Sequence, residues 1–321
     1  MLDVFLTIDV EIWCDGWEEI DRKFPTAFRK YIHGDTSRGA FGLPYQLDVI
    51  AGHGLHSVCF VEPLFSTRFG AAPLEEIVDL VLEREQEIQA HLHTEWVDES
   101  HMPLIENNKE KRQYLFQFNL EEQSRLIAAA IELLKHAGAS EITAFRAGSF
   151  GFNADTLRAL AANRIPFDCS YNFNMFGPDS GVSPGVALVE PARREGVCEY
   201  PLTVFRDGLG KIRQAQLTSC SWAEMERLLW RALHEKRKAF VILSHNFELL
   251  SPSKRSPDDV VIRRLHKLCD FLDRNRDCFR TSGFRNREAH CPIEKQPPLL
   301  KTSVATTILR LFEQTYRRRY P

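Results

Sequence analysis

Short apolar runs alternate with helix-like patterns along almost the whole chain, and this alternation constrains the fold more than any other feature. The apolar runs predict buried strands at residues 4–9, 57–61, 87–92, 142–146, 167–171, 198–204, 240–244 and 278–281. Between them, apolar residues three and four apart predict helices at 74–84, 120–136, 154–162, 223–236 and 259–275. This order predicts an α/β barrel with an outer ring of helices, and an open doubly wound sheet is the alternative.

The composition argues against several broad classes of protein. The 321 residues carry a formal net charge of -3, which provides no general attraction to nucleic acid or to an anionic membrane. The eight cysteines include no Cys-x-x-Cys pair, so we expect no disulfide framework. The sequence shows neither a basic leader nor an apolar run of about 18 residues, and a cytoplasmic location is therefore expected.

The first predicted strand ends in two carboxylates, Asp9 and Glu11. Side chains at positions i and i+2 of an extended chain project to the same side, so this pair could share a cation. If only one of them binds a metal ion, the other can act as a general base near the bound water. The alternative is a solvated turn, because so short a motif also occurs without any catalytic role.

The third predicted strand ends in a cluster of candidate metal ligands, His91, His93 and Glu95. The histidines are two residues apart, and Glu95 follows His91 by four, which suits a ligand pair if the chain turns helical there. A lone histidine at this place would more often be a packed core residue. Three candidate ligands within five residues favour a metal site instead.

Arg146, Asp168 and His245 follow at the ends of later predicted strands. The charge of an arginine at a barrel mouth is costly to bury alone, and Asp9 is its expected partner, either in a functional site or in a structural ion pair. A histidine at such a position could act as a general acid if an aspartate from another strand end raised its pKa. Asp168 is a candidate for that aspartate.

Taken in order, five stretches resemble the motifs of the polysaccharide deacetylase family, the NodB-homology proteins of carbohydrate esterase family 4. They are LTIDVE, EIQAHLHTE, FRAGSFG, DCS and ILSHN, and the likeness covers roughly residues 3–285. The resemblance implies a distorted (β/α) barrel with seven or eight strands. It also implies hydrolysis of an N-acyl group, commonly acetyl, on an amino sugar, with one divalent metal ion, usually Zn²⁺, held by one acid and two histidines.

Carried over to this chain, the resemblance implies that Asp9 is the general base and that Arg146 orients it. It likewise implies that His245 is the general acid and that Asp168 is its partner.

The same resemblance makes Glu11 the acidic metal ligand and His91 the first histidine ligand. The chain departs from the family twice, because the adjacent Asp-Asp pair has become Asp9-Val10-Glu11 and the position four residues after His91 holds Glu95 instead of histidine. Either Glu95 or His93 would complete the site. A site rich in carboxylates leaves Fe²⁺ and Mn²⁺ open beside Zn²⁺.

The leading hypothesis is a metal-dependent hydrolase that removes an N-acyl group from an amino sugar or from a nucleotide-linked or lipid-linked glycan precursor. A scaffold does not determine its substrate, so hydrolysis of a non-sugar amide on the same barrel is one alternative. A carbohydrate-binding pseudoenzyme is another, because the metal motifs depart from the family pattern. The Gly-x-Ser-x-Gly motif of many serine hydrolases is absent from the sequence.

The predicted domain organisation is one barrel over residues 1–288 and a tail over residues 289–321. In the tail, Val304, Ile308, Leu311 and Phe312 recur at helical spacing, and arginines occupy positions 317–319. A cationic amphipathic helix of this kind could contact a membrane surface or another subunit. The alternative is that the helix packs on the barrel with its arginines in solvent.

Overall fold

The computed structural model describes residues 1–106, 110–291 and 295–319 of a mixed α/β chain. Its strands are β1 (Leu2–Val10), β2 (Asp35–Thr36), β3 (Gly39–Ala40), β4 (Ser57–Val61), β5 (Glu87–Leu92), β6 (Ala144–Ala147), β7 (Phe167–Asp168), β8 (Ala192–Arg194), β9 (Val197–Glu199), β10 (Val204–Arg206), β11 (Ile212–Gln214), β12 (Ala239–His245), β13 (Phe279–Thr281) and β14 (Leu300–Lys301). Its helices are α1 (Ile20–Phe28), α2 (Leu43–Gly52), α3 (Ser66–Phe69), α4 (Ala72–Leu82), α5 (Leu120–His136), α6 (Ala154–Ala162), α7 (Trp222–His234), α8 (Asp259–Arg274) and α9 (Val304–Arg319).

Nine of the described strands form one curled sheet that is mostly parallel. Neighbouring strands follow the order β12-β1-β4-β5-β6-β7-β9-β8, and β13 lies beside the start of β1. The far edge of β12 is hydrogen bonded to the segments around Thr203 and Ala215, so the sheet curls into a half-open barrel. The predicted distorted barrel is confirmed.

Burial and helix capping explain why these segments form these elements. Every residue of β4 and β5 is buried, as expected for parallel strands that are covered on both faces. Asn119, Asn153 and Ser221 each cap a helix, because each side chain accepts a hydrogen bond from the backbone N–H three residues later. Helices α5, α6 and α7 therefore begin next to a residue type that the sequence marks as a helix start.

The predicted elements differ from the structure mainly around residues 198–204. The single strand predicted there is wrong, because the segment divides into β9 and β10, which belong to different sheets. Pro201 lies between them and has no N–H to donate to a strand ladder. Helices α1 and α2, and the π-helical turn Arg29–His33 that continues α1, are additional elements that were not predicted.

The tail is attached to the barrel by a strand and a helix. Strand β14 pairs with β10 in a small sheet of β11, β10 and β14, and α9 lies against α7. Helix α9 thus packs on the barrel, while the side chains of Arg318 and Arg319 lie outside the described part of the chain. The domain boundary at residue 288 stays a prediction. Within the described ranges, no helix combines the length and the apolar character needed to cross a bilayer.

Candidate metal centre

The predicted site residues meet because their strands are parallel and in register. Asp9 of β1 pairs with His245 of β12, and His91 of β5 pairs with Arg146 of β6. Glu11 directly follows β1. All five residues lie at the carboxyl ends of the strands, the edge at which the chemistry of parallel barrels collects.

Glu11, His91 and His93 form a buried cluster at this edge. Glu11 Oε1 lies 3.2 Å from His91 Nε2 and 3.1 Å from His93 Nε2. The three ligand atoms lie within 4.8 Å of one another, which is close enough for all of them to bind one ion. Trp13 Nε1 donates a hydrogen bond of 2.7 Å to Glu11 Oε2, which holds the carboxylate in place.

Each histidine of the cluster is oriented through its other ring nitrogen. His91 Nδ1 lies 2.8 Å from the carbonyl oxygen of Arg146, and His93 Nδ1 lies 3.2 Å from Glu95 Oε2. A carbonyl or carboxylate oxygen accepts a hydrogen bond, so Nδ1 of each ring is the donor. On the other side of each ring, Nε2 is within hydrogen-bond distance of Glu11, and a ring that loses its Nε2 proton can offer that lone pair to a metal ion, as metal-binding histidines do.

The charges of Glu11 and His93 stabilise each other inside the protein. Burial by itself would lower the pKa of His93, but the carboxylates of Glu11 and Glu95 outweigh it and raise that pKa well above its usual value. Burial would also raise the pKa of Glu11, yet the charge of His93 and the hydrogen bonds from both histidines hold it well below its usual value. The cluster therefore attracts positive charge, and a metal ion can compete with protons for it.

The turn after β6 packs against His93. A Cβ atom on Gly148 would lie 2.7 Å from His93 Nδ1 and 2.8 Å from the carbonyl oxygen of Leu92, so a larger residue would displace the ring. Ser149 and Phe150 follow with φ angles of 50° and 56°. Such angles are uncommon for residues other than glycine and cluster at functional sites.

Asp9 and Arg146 form a buried ion pair beside the cluster, as expected. Arg146 Nη1 donates to Asp9 Oδ1 over 2.5 Å and to Thr7 Oγ1 over 3.0 Å, and the guanidinium carbon lies 4.3 Å from the centre of the Phe60 ring. Asp9 Oδ2 lies 4.0 Å from His91 Nε2. Arg146 Nη2 has no hydrogen-bond partner within the described residues. The pair thus holds an ionised carboxylate next to the candidate metal ligands.

His245 is paired with Glu248, whereas the sequence prediction gave it Asp168. Its Nδ1 lies 2.8 Å from Glu248 Oε2, which also accepts a hydrogen bond of 3.2 Å from Gln216 Nε2. Burial by itself would lower the pKa of His245, but Glu248 outweighs it and raises that pKa to about 9. The ring is 21% exposed, so a protonated His245 can reach a molecule at the barrel mouth.

Asp168 belongs to a separate buried carboxyl pair with Glu199. Asp168 accepts hydrogen bonds from the backbone N–H and the hydroxyl of Ser170, and the Ser170 hydroxyl oxygen accepts one of 2.8 Å from the N–H of Ala147. Burial and the charge of Asp168 raise the pKa of Glu199 well above its usual value, so Glu199 holds a proton more tightly than an exposed carboxyl group would. The pair supports the end of β6.

Comparisons with known proteins are informative at the level of structure. No protein-family model matches the sequence, and the search of curated proteins finds no significant match. A Mycobacterium smegmatis protein assigned to the polysaccharide deacetylases superposes with a TM-score of 0.53 at 15% identity, over 89% of this chain and 95% of its own. The chain has the polysaccharide deacetylase fold.

Two other solved structures are more distant. A family 4 carbohydrate esterase from Streptomyces lividans, in complex with acetate, has a TM-score of 0.44 at 12% identity, over 88% of this chain and 92% of its own. A pseudoenzyme of the same family from Bacillus anthracis has a TM-score of 0.41 at 11% identity, over 87% and 63% of the two chains. With TM-scores below 0.5, these two structures add nothing to the fold assignment.

Within the polysaccharide deacetylase fold, this chain's donor set fits a divalent metal ion. Two imidazole nitrogens and one carboxylate oxygen suit zinc, and the same set is known for non-haem Fe²⁺. The described residues contain two groups of side chains that are close enough to hold an ion, and Glu95 belongs to neither. Glu95 contacts Nδ1 of His93, on the far side of that ring from Glu11. The other group comprises Asp9, Glu11 and His245, so the two groups share Glu11.

Sequence reasoning missed two residues of this site, Glu248 and Glu62, although both had a signal. Glu248 follows His245 by three residues, a spacing at which a chain that turns after a strand can bring the two together. Glu62 directly follows β4, so the strand-end rule applies to it as well; burial raises its pKa to about 8. Trp13 follows the first motif closely, but its hydrogen bond to Glu11 was not predicted, because that contact depends on the path of an irregular segment.

Proposed function

We propose that this protein is a metal-dependent hydrolase that removes an N-acyl group, in the simplest case acetyl, from an amino sugar. The observation that carries the proposal is the buried group of Glu11, His91 and His93 beside the ion pair of Asp9 and Arg146. Two oriented imidazoles, a carboxylate and a second, charged carboxylate are the components that amide hydrolysis at a metal centre requires. The shared fold and the five motifs support the same assignment.

Glu11, His91 and His93 are the proposed ligands of one divalent ion, with Zn²⁺ preferred over Fe²⁺ or Mn²⁺. When bound, such an ion polarises a carbonyl oxygen and lowers the pKa of water toward about 7. In this proposal Glu95 is not a ligand. It accepts the Nδ1 proton of His93 and keeps that ring oriented, which accounts for a carboxylate where the family has its second histidine.

The remaining residues move protons and hold one another in position. Asp9 accepts a proton from the attacking water, and Arg146 holds the carboxylate beside the cluster. His245 has a pKa of about 9, so it is protonated at neutral pH and gives its proton to the leaving nitrogen. Glu248 orients His245 and stabilises its charge, the role that the resemblance assigns to Asp168.

The proposed substrate is an N-acylated saccharide. Half-buried aromatic rings lie beside the candidate ligands, with the Trp13 ring 4.8 Å from that of His93 and the Trp17 ring 6.1 Å from that of Trp13. Partly exposed indole rings can stack on a sugar ring. One face of the Trp17 ring is already occupied, because Lys111 Nζ lies 3.7 Å from its centre. A nucleotide or lipid carrier on that sugar and a cytoplasmic location stay predictions.

Release of acetate or formate from defined N-acyl saccharides tests this function. Zinc-loaded protein should release the acid, His91→Ala should abolish release, and His245→Gln should slow it by about 10²-fold to 10⁴-fold because a general acid is lost. Glu132→Gln, a change at an exposed position of α5, is the matched control. Undiminished release by His91→Ala would refute the metal-dependent reaction. Release from N-acetylated amino acids but from no saccharide would favour the non-sugar alternative.

A further inference from the structure

Helix α9 turns its apolar side outward and its polar side toward the barrel. Among the described side chains of α9, up to position 317, the large exposed ones are Val304, Ile308, Leu309, Leu311, Phe312 and Tyr316. Those that it buries are polar: Thr306, Thr307 and Arg310. The exposed fraction is 71% for Phe312 and 53% for Leu309. A surface helix normally buries its apolar side, so this reversed orientation indicates that something else covers it.

Buried ion pairs hold α9 in this orientation. Arg310 is 1% exposed, and it donates to Asp207 over 2.8 Å and forms an ion pair of 3.1 Å with Glu224. Arg317 Nε donates to Asp258 Oδ2 over 2.6 Å. Turning the apolar side inward would leave these buried carboxylates without their cationic partners, which is strongly destabilising. The outward apolar surface is therefore a stable property of the fold.

A groove between α8 and α9 adds positive charge to this surface. It encloses about 310 Å³ and is lined by Arg263 and Lys267 of α8 and by Phe312 of α9. Both cations are exposed and form no ion pair within the described residues. Apolar side chains next to exposed cations are the combination by which amphipathic helices bind anionic lipid surfaces.

We propose that α9 and the groove beside it bind the surface of a bilayer that contains anionic lipids. The charge of this surface favours an anionic bilayer over a second copy of the chain. Residues 301–321 contain five basic residues and one acidic residue, although the whole chain carries a net charge of -3. Arg310 and Arg317 are paired with carboxylates of the barrel, so the excess of basic residues at this surface comes from the others of this segment together with Arg263 and Lys267. Packing two copies of this segment together would bring like charges close, whereas anionic headgroups would neutralise them.

The carboxyl-terminal end of α9 lies near the barrel mouth. Arg317 Nη1 donates to the carbonyl oxygen of Thr218 over 3.2 Å, and the N–H of Thr218 donates to Glu248 over 3.0 Å. Glu248 in turn contacts His245. A bilayer bound at α9 would therefore lie next to the candidate site. The surface binding itself does not depend on the proposed hydrolysis.

Vesicle co-sedimentation of the full chain tests this inference. We expect the protein to pellet with vesicles of phosphatidylcholine and phosphatidylglycerol, to pellet less at high salt, and to stay in solution with phosphatidylcholine alone. Leu309→Gln and Phe312→Gln should each weaken binding about tenfold, because each removes apolar area from the bilayer interface. Arg263→Gln and Lys267→Gln should each weaken it about fivefold.

Control substitutions elsewhere on the protein show whether a loss of vesicle binding is specific to α9 and its groove. Leu82→Gln alters another exposed helical leucine, and Arg274→Gln removes an exposed arginine from the other end of α8, so neither should change binding. Circular dichroism should be the same for all variants, since every altered side chain is exposed. Failure to bind anionic vesicles, or binding that survives Leu309→Gln combined with Phe312→Gln, would overturn the proposal. A stable dimer in ultracentrifugation that this double variant dissociates would overturn it in favour of self-association.

Discussion

Replacing Glu248 with glutamine should lower the pKa of His245, because the carboxylate is the principal group that stabilises the protonated ring. Glu248 is buried and lies 2.8 Å from His245 Nδ1. The pKa of His245 is raised from 6.5 to about 9. A difference of this size corresponds to about 3 kcal/mol of interaction between the folded protein and the protonated form. Glutamine retains the size and hydrogen-bonding capacity of the side chain but removes its charge.

The raised pKa also makes folding stability depend on pH. Because the folded protein binds the His245 proton more tightly than the unfolded chain, this stabilisation is complete below pH 6.5 and is lost as the pH rises through about 9. The loss should amount to at most about 3 kcal/mol in the free energy of unfolding. In Glu248→Gln the same rise in pH should cost much less, because little of the shift remains.

Two measurements check this prediction. NMR titration of the His245 ring, assigned by comparison with His245→Gln, should show the pKa falling markedly in Glu248→Gln. Denaturant unfolding at about pH 6 and about pH 9.5 should show a smaller loss of stability in Glu248→Gln than in the unmodified protein. Glu132→Gln should match the unmodified protein in both experiments. A His245 pKa that Glu248→Gln leaves unchanged would refute the assigned pairing.

Two further substitutions test the parts that support the site. Gly148→Ala should weaken metal binding by about tenfold to a hundredfold in calorimetric titration, because the new methyl group displaces the His93 ring. Gly52→Ala should leave metal binding unchanged, since a methyl group there meets no atom within 4 Å. Equal metal affinities in the two variants would contradict this role of Gly148. Arg146→Met should lower the free energy of unfolding by about 3 to 5 kcal/mol, because it leaves a buried carboxylate unpaired. Arg158→Met, at an exposed ion pair, should change it little, so similar losses would contradict the importance of burial.

Local patterns were sufficient to predict most of the fold. Strands β4 and β5 and helices α5 and α6 begin and end at the predicted residues, because apolar periodicity and capping residues mark them within the segment itself. The same reasoning placed Asp9, His91 and His245 at one edge of the sheet, since parallel strands in register bring their carboxyl ends together.

Side-chain partners could not be predicted in the same way. The sequence made Glu95 a possible metal ligand if the chain turned helical after the strand. In the structure His93 is extended and is followed by a 3-10 turn, Thr94–Glu99. Glu95 therefore faces Nδ1 of His93. Asp168 and His245 are on non-adjacent strands, and which acid reaches His245 depends on how the chain folds after β12. The outward orientation of the apolar side of α9 could not be predicted either, because the buried carboxylates that pair with Arg310 come from distant segments of the chain.

Metal binding is the central claim, and one measurement tests it directly. Metal-stripped protein should take up one Zn²⁺ per chain, and X-ray absorption of the loaded protein should show two imidazole ligands at about 2.0 Å. His93→Ala should remove one imidazole and most of the affinity, whereas Glu95→Gln should retain both imidazoles with weaker binding. Absence of stoichiometric binding, or two imidazoles that persist in His93→Ala, would contradict the assignment of Glu11, His91 and His93 as the ligands.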